Sequence, residues 1–277
     1  MRQIAPHAAV PPDLESPFAV ATESRRRETV ALVQDALDRR EALLAFQPVV
    51  QARMPSRPAF YEAFMRIFDR SGRLIPARDF IEAVEDTETG RRIDCLALEL
   101  GLQALAGEPG LRLAINMSAR SIGYPNWLTT LDRGLRDRPE IAERLILEIT
   151  ESSAMQVPEL VTVFMAEMQR RGIAFALDDF GAGYTSFRYL RDFYFDIIKI
   201  DGNFIKGIAT NPDNQVLTQS LVSIARHFDM FTVAESVETA EDAQYLMDIG
   251  VDCLQGYYYG IPSTDMPWRQ SVARRRA

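Results

Sequence analysis

Cysteine and histidine are scarce in this chain, with two of each among 277 residues. Nothing in the spacing of Cys95 and Cys253 suggests a zinc site or a disulfide framework. His7 and His227 are too few for a histidine-rich metal centre and argue against a His-based catalytic triad. Hydrolytic chemistry, if the chain performs any, must rest on carboxylates and hard metal ions. Long apolar runs are missing too. No stretch of about 20 apolar residues could span a bilayer, and the Pro-rich start lacks the continuous apolar core of a signal peptide. These absences point to a cytoplasmic protein with no membrane segment. Positive charge is also short, with 31 basic against 39 acidic residues and a net charge of −8. Binding to a nucleic-acid backbone neutralises many phosphates with Lys and Arg, so direct DNA binding is not expected. A small phosphorylated ligand held through metal ions stays compatible with this balance.

What remains is the composition of an ordinary globular protein, 47% hydrophobic and 25% charged. Its length suits one large α/β barrel or two smaller domains. Residues 1–24 read as a flexible Pro-rich extension and residues 271–277 as a basic tail, leaving a domain over 25–270. A helix is expected from Glu28 to about Arg40, with Val30, Leu32, Val33, Ala36 and Leu37 on one face. Eight strand-like segments follow: F-Q-P-V-V, A-F-Y-E-A-F-M-R, L-R-L-A-I-N-M-S, L-I-L-E-I-T-E, I-A-F-A-L-D-D, D-I-I-K-I-D, F-T-V-A-E-S-V and D-C-L-Q-G-Y-Y-Y. Between the sixth and seventh, Leu217, Leu221, Ile224, Ala225 and Phe228 keep helical spacing. Between the seventh and eighth, Thr239 to Asp242 resembles a helix-starting capping box. Strands alternating with helices indicate an α/β fold, a (β/α)8 or TIM barrel. Only Gln51 to Pro58 separates the first two strands, too short for a parallel crossover. The expected architecture is therefore a modified barrel with an antiparallel first strand.

Polar residues fall near the strand ends: Asn116, Glu148, Asp178 with Asp179, Lys199, Glu235 and Gln255, with Glu62 inside the second strand. Successive spacings of 32, 30, 21, 36 and 20 residues suit strand-plus-helix units, which would bring these positions to one mouth of a barrel. Five carboxylates against one lysine would be costly in a partly buried site, and two divalent cations would neutralise the excess. Oxygen-rich ligation without His or Cys suits Mg²⁺ or Mn²⁺. Each residue also has a plain structural alternative. A strand-end Asp or Glu is usually a cap, Glu151 could cap the next helix, and Asn116 could satisfy backbone groups. The Asp179-Phe180-Gly181 triplet matches a protein-kinase motif. However, no G-x-G-x-x-G loop is present, and His227-Phe228-Asp229 lacks an Asn five positions after its Asp.

The ordered set from Phe46-Gln47-Pro48 to Gln255-Gly256-Tyr257, continuing to Pro262, resembles the EAL-domain phosphodiesterases of bacteria. The resemblance covers roughly residues 28 to 270. It implies a modified TIM barrel that opens cyclic di-GMP to linear pGpG with Mg²⁺ or Mn²⁺, with two ions per site. By the same resemblance, Glu62, Asn116, Glu148 and Asp178 would hold the first ion, and Asp178 and Asp179 would reach the second. Lys199 would position water or stabilise charge. Glu235 would be a second-metal ligand or general base, and Gln255 would support the water network. Arg66 would contact a substrate phosphate, Gln47 would lie at the substrate, and Glu151 would anchor the loop after the fifth strand. That loop couples the metal site to a dimer interface in the family, so a homodimer is expected. No synthase motif or large sensor region precedes the barrel, which suggests a stand-alone protein regulated through expression, dimerisation or a protein partner.

Four positions depart from the family pattern. Phe64 replaces the usual Leu of the name-giving motif, Ser236 replaces Gly after Glu235, Glu82 stands at a usual Pro, and Ala182 at a common Thr. None removes an expected metal ligand. Phe64 and Ser236 leave two alternatives open: a receptor that binds cyclic di-GMP without cutting it, and an interaction module that binds no nucleotide. Two adjacent aspartates alternate faces in a regular strand, so Asp178 and Asp179 can both reach ions only if the backbone bends there. Gly181 and Gly183 would then open a mobile loop.

Overall fold

The computed structural model describes residues 16–182, 190, 191, 193–266 and 268. Most of the expected extension, the basic tail and Gly183 lie outside these residues. Nine strands are present: β1 (Ala42–Gln51), β2 (Met54–Phe68), β3 (Leu74–Pro76), β4 (Leu113–Asn116), β5 (Leu145–Thr150), β6 (Ala174–Phe180), β7 (Ile197–Ile200), β8 (Phe231–Ala234) and β9 (Cys253–Leu254). Eight close into a barrel in the order β1-β2-β4-β5-β6-β7-β8-β9, with β9 pairing back onto β1. Strand β3 adds only to the far end of β2, through Arg66↔Pro76 to Phe68↔Leu74. From β2 through β9 the barrel strands run parallel. Only β1 runs against both its neighbours. The cause is the link: Ala52 and Arg53 alone join β1 to β2, and two residues can make a hairpin but not a crossover.

Side chains alternate between the two faces of the wall. Outward residues meet the helices. Phe175 of β6 packs edge-on against Phe164 of the helix Pro158–Gln169, and Phe164 packs in turn on Trp127 of the helix Pro125–Leu135. Inward residues make a separate apolar plug of Val49, Phe60, Ala114, Ile146, Ala176, Ile197 and Val233, with Cys253 packed against it. Each of the eight strands contributes one member.

Helix α1 spans Pro17–Asp38 and starts earlier than its apolar periodicity indicates. The Ser16 hydroxyl accepts a hydrogen bond from the Ala19 amide, and Pro17 takes the first helical turn, where its missing N–H costs nothing. The expected boundary of the extension at residue 24 therefore falls inside a helix. Val33, Ala36 and Leu37 are buried as expected. In the helix Pro212–His227, Leu221 and Ala225 are buried, but Leu217 and the C-cap residue Phe228 lie toward solvent, at 48% and 38% exposure. The Thr239 hydroxyl accepts from the Asp242 amide and starts the helix Ala240–Asp248, as its capping pattern indicates.

Candidate active site at the carboxyl mouth of the barrel

Two residues beyond each member of the apolar plug stands a polar one. Period-2 alternation returns the chain to the same inward face, one layer nearer the mouth. Phe60 leads to Glu62, Ala114 to Asn116, Ile146 to Glu148 and Ala176 to Asp178. Ile197 likewise leads to Lys199, Val233 to Glu235 and Cys253 to Gln255. Because β1 runs the other way, Gln47 comes two residues before Val49 and joins the same layer. Eight strands thus supply a ring of eight polar side chains.

Lys199 is the hub of that ring. Its side chain is 1% exposed, and Nζ lies 3.0 Å from Glu62 Oε2, 3.0 Å from Glu148 Oε2, 2.8 Å from Asp178 Oδ1 and 2.7 Å from Glu235 Oε1. Asn116 Nδ2 donates to Glu62 Oε1 at 3.0 Å. Gln255 Nε2 donates to Glu62 Oε2 at 2.7 Å and to Gln47 Oε1 at 3.1 Å. Gln47 Nε2 donates to the Gly260 carbonyl. Glu62 is therefore held from three sides.

Asp178 and Asp179 owe their placement to a bulge. Leu177 pairs with Ile198 and Phe180 with Ile200, so two β6 residues stand opposite Lys199 alone. Asp179 takes a left-handed backbone, φ 56°, which supplies the bend that two adjacent aspartates require. Ser236, one residue after Glu235, is also left-handed at φ 54°. A left-handed backbone favours glycine, so the serine here carries strain that the expected glycine would not. Gly256, after Gln255, has no room for a side chain: an added Cβ would lie 2.1 Å from the Val237 carbonyl oxygen.

The electrostatics are strained in one direction. Burial, then the neighbouring charge of Glu62, holds the Glu148 carboxyl well above its ordinary range despite Lys199. Burial does the same to Glu235, only partly offset by Lys199, with Asp178 and Glu62 adding to the rise. Burial alone would lower the Lys199 pKa, but Asp178, Glu148, Glu235 and Glu62 outweigh it and raise it well above normal. One ammonium faces an excess of carboxylate.

The residues fit a group of divalent cations. Glu62, Glu148 and Asp178 bring one carboxylate oxygen each within 4.8 Å of one another, and so do Asp178, Asp179 and Glu235. The two groups share Asp178. Glu148 Oε1 is buried without a hydrogen-bond partner, an acceptor with unmet capacity. All these donors are oxygens, which suits a hard cation.

Other expected residues sit around this core. Glu151 is buried at the first position of the short helix Glu151–Gln156, and its Oε2 accepts from the Gly181 amide at 3.1 Å, where the chain leaves β6. Phe64 is half-buried and lines the mouth, a cavity of about 320 Å³. Arg66 is not among the lining residues. Its guanidinium lies 5.9 Å from the Phe64 ring centroid, and Nη1 donates to the Met65 carbonyl. Glu82 and Ala182 are exposed. Lys206, Glu238 and Tyr257 also line the cavity and were not expected. They follow strand ends in irregular segments, where periodicity carries no information.

Fold and site together define a modified (β/α)8 barrel whose carboxyl mouth is ringed by oxygen ligands around one buried lysine. The chain belongs to the EAL domain family, whose model matches residues 31–262. It is similar to the cyclic di-GMP phosphodiesterase PdeF of Escherichia coli, 29% identical over 259 residues, covering 91% of this chain and 34% of PdeF. It is also similar to the probable cyclic di-GMP phosphodiesterase PdeA of Escherichia coli, 31% identical over 234 residues, covering 83% of this chain and 32% of PdeA. The chain thus spans about a third of the length of these curated relatives. Among solved structures it resembles the FimX EAL domain from Pseudomonas aeruginosa bound to c-di-GMP. There the TM-score is 0.78 at 25% identity, over 86% of this chain and 97% of that one. Among the described residues no helix is long and apolar enough to cross a membrane.

Proposed function

We propose that this protein is a metal-dependent phosphodiesterase that opens cyclic di-GMP to linear pGpG. The observation that carries the reading is the pair of carboxylate groups joined through Asp178 around the Lys199 ammonium. Glu62, Asn116, Glu148 and Asp178 would hold one Mg²⁺ or Mn²⁺, and Asp178, Asp179 and Glu235 the other. Two such ions, when bound, supply Lewis-acid stabilisation of charge at phosphorus. Burial biases the Glu235 carboxyl toward its protonated form without cations; ionised beside them, it would be either a ligand of the second ion or the base that accepts the proton of the attacking water. Gln255 spends both its donor contacts on Glu62 and Gln47, and its buried Oε1 has no hydrogen-bond partner, so it can accept from that water. Lys199 keeps Glu62 and Glu148 in place and offsets charge. Arg66, outside the cavity lining and beside Phe64, would take a substrate phosphate by turning toward the mouth, Gln47 borders the substrate, and Glu151 fixes the start of the loop after β6. The reading extends to a cytoplasmic homodimer; a single species at monomer mass in light scattering at micromolar concentration would count against the dimer.

The deciding experiment incubates the protein with cyclic di-GMP and Mn²⁺ or Mg²⁺ and resolves products by chromatography. Wild type should give pGpG and Glu62→Ala none. No turnover across metals and pH would overturn the reading. A second reading, a receptor that binds without cutting, draws on the left-handed Ser236 beside Glu235 and on Phe64 at the mouth. Tight binding of uncut cyclic di-GMP would select it.

A further inference from the structure

Of the 31 basic residues in this chain only two are lysines, Lys199 and Lys206. Both line the same cavity, the mouth of the barrel. Arginine serves every other cationic position, whereas these two carry a compact ammonium, a point charge with three rotatable donors. Lys199 is fully committed to four carboxylates. Lys206 is not. It follows the short helix Gly202–Ile205 beyond β7, its side chain is 58% exposed, and its one ionic neighbour among the described residues is Glu238 at 3.7 Å, outside hydrogen-bond distance. An exposed pair at that separation holds its members weakly.

The substrate class proposed above makes a demand that the ring cannot meet. A cyclic dinucleotide carries two phosphodiesters, and the carboxylate groups with their ions serve the one that is cut. The cavity, at about 320 Å³, lies at the small end of the roughly 300–1,000 Å³ range of ligand sites and takes only part of such a molecule. The other half overhangs the rim, where Glu238, which belongs to neither carboxylate group, would repel its phosphate. Among the described residues lining the cavity, Lys206 is the one cation not locked into the ring, and Arg66 stands outside that lining.

We propose that Lys206 binds the phosphodiester of the cyclic dinucleotide that is not cut, and thereby favours substrates with two phosphates over those with one. This rests on the phosphodiesterase reading and adds a residue that selects among its substrates. Lys206 leaves the ion pair with Glu238 and donates to a phosphate oxygen, a charge-assisted contact stronger than the pair it replaces.

The test compares wild type with Lys206→Gln on cyclic di-GMP and on bis(p-nitrophenyl) phosphate, which has a single phosphodiester. The expected result is a KM for cyclic di-GMP raised about tenfold with kcat within about twofold, the change made by one modest charge-assisted hydrogen bond. The preference for the dinucleotide over the single diester should fall by the same factor. An equal loss on both substrates, or no change in preference, would overturn the proposal. A second measurement does not depend on turnover. Reductive methylation of Lys206, followed by peptide mass spectrometry, should slow about tenfold with excess cyclic di-GMP and Ca²⁺ relative to Ca²⁺ alone. Labelling at the same rate with and without the dinucleotide would overturn it. If wild type turns over neither substrate the phosphodiesterase reading falls, and the methylation rate still decides whether Lys206 meets the ligand.

Discussion

Replacing Lys199 with methionine keeps most of the side-chain volume and removes the ammonium that four carboxylates approach to 2.7–3.0 Å. Breaking a buried ion pair by deleting one partner costs about 3–5 kcal/mol, because the surviving charge is left uncompensated. Here four carboxylates lose the one ammonium they share, so the upper part of that range is expected in EDTA at pH 8. The deficit must depend on pH in a defined direction. Glu148 and Glu235 have pKa values above the ordinary range, so the fold favours their protonated forms. Stability from these two groups is present at low pH and lost as pH rises through their raised values. Removing Lys199 raises them further, so the variant's loss is largest in alkali and shrinks as pH falls. Divalent cations should offset it. At a hundredfold excess over Kd, a ligand of the native state adds about 2.7 kcal/mol. Urea denaturation followed by fluorescence reads the difference, since Trp127 is 1% exposed and reports loss of the core. A Lys199→Met protein within about 1 kcal/mol of wild type in EDTA at pH 8 would refute the reasoning, because breaking such a pair should cost more than an exposed one.

Two further outcomes follow from other positions. Ser236→Gly should relieve the left-handed backbone at φ 54° and, after the entropy that glycine loses, stabilise by about 0.5–1 kcal/mol, or roughly 1–4 °C in Tm. A lower Tm would show that the serine side chain, which approaches Gly202, contributes more than the strain costs. Asp94 is buried and accepts from the Ser118 amide at 3.0 Å and Ser121 Oγ at 2.6 Å. Burial, with a smaller push from Glu85, raises its carboxyl to about 7. Its folded value lies above its unfolded one, so stability is full below about pH 4 and falls by up to about 4 kcal/mol as pH rises to 7. Asp94→Asn should flatten that slope and gain stability at pH 8, as thermal melts at pH 5 and 8 would show. An unchanged slope would place the titration elsewhere.

Most barrel strands are legible because apolar runs rich in β-branched and aromatic residues mark them, β9 only through the apolar and aromatic residues around its two-residue core, and the reversed β1 is legible from the short link to β2. The ring residues are legible at strand ends. The pairing of each with an apolar residue two positions earlier is equally present in the sequence but becomes meaningful only once the strands face one centre. Strand β3, with three residues, is too short to show a period. The start of α1 is marked by Ser16 and Pro17, but the surrounding prolines hide the cap within what reads as loose chain. Leu217 and Phe228 fit a helical face and still lie toward solvent, since spacing alone does not say how wide the buried stripe is. Lys206, Glu238 and Tyr257 reach the cavity through irregular segments beyond the strands, where tertiary placement alone decides.

The junction of β9 with β1 is narrow, only Val50↔Leu254 and Gln51↔Cys253. The ring crosses that junction through the bonds from Gln255 to Gln47 and Glu62, which span 208 and 193 residues of sequence. By contrast, Gln47 and Glu62 face each other across the local β1–β2 hairpin. Local contacts form early in folding and distant ones late, because closing long loops costs entropy before any contact rewards it. The hairpin half of the ring therefore exists before the chain has met its own end, and the ring is complete only when the last strand docks. With two pairs on each side, β9 is the most sparsely paired strand of the barrel, so a brief parting of β9 from β1 would dismantle the mouth while the helices and most of the barrel stay folded.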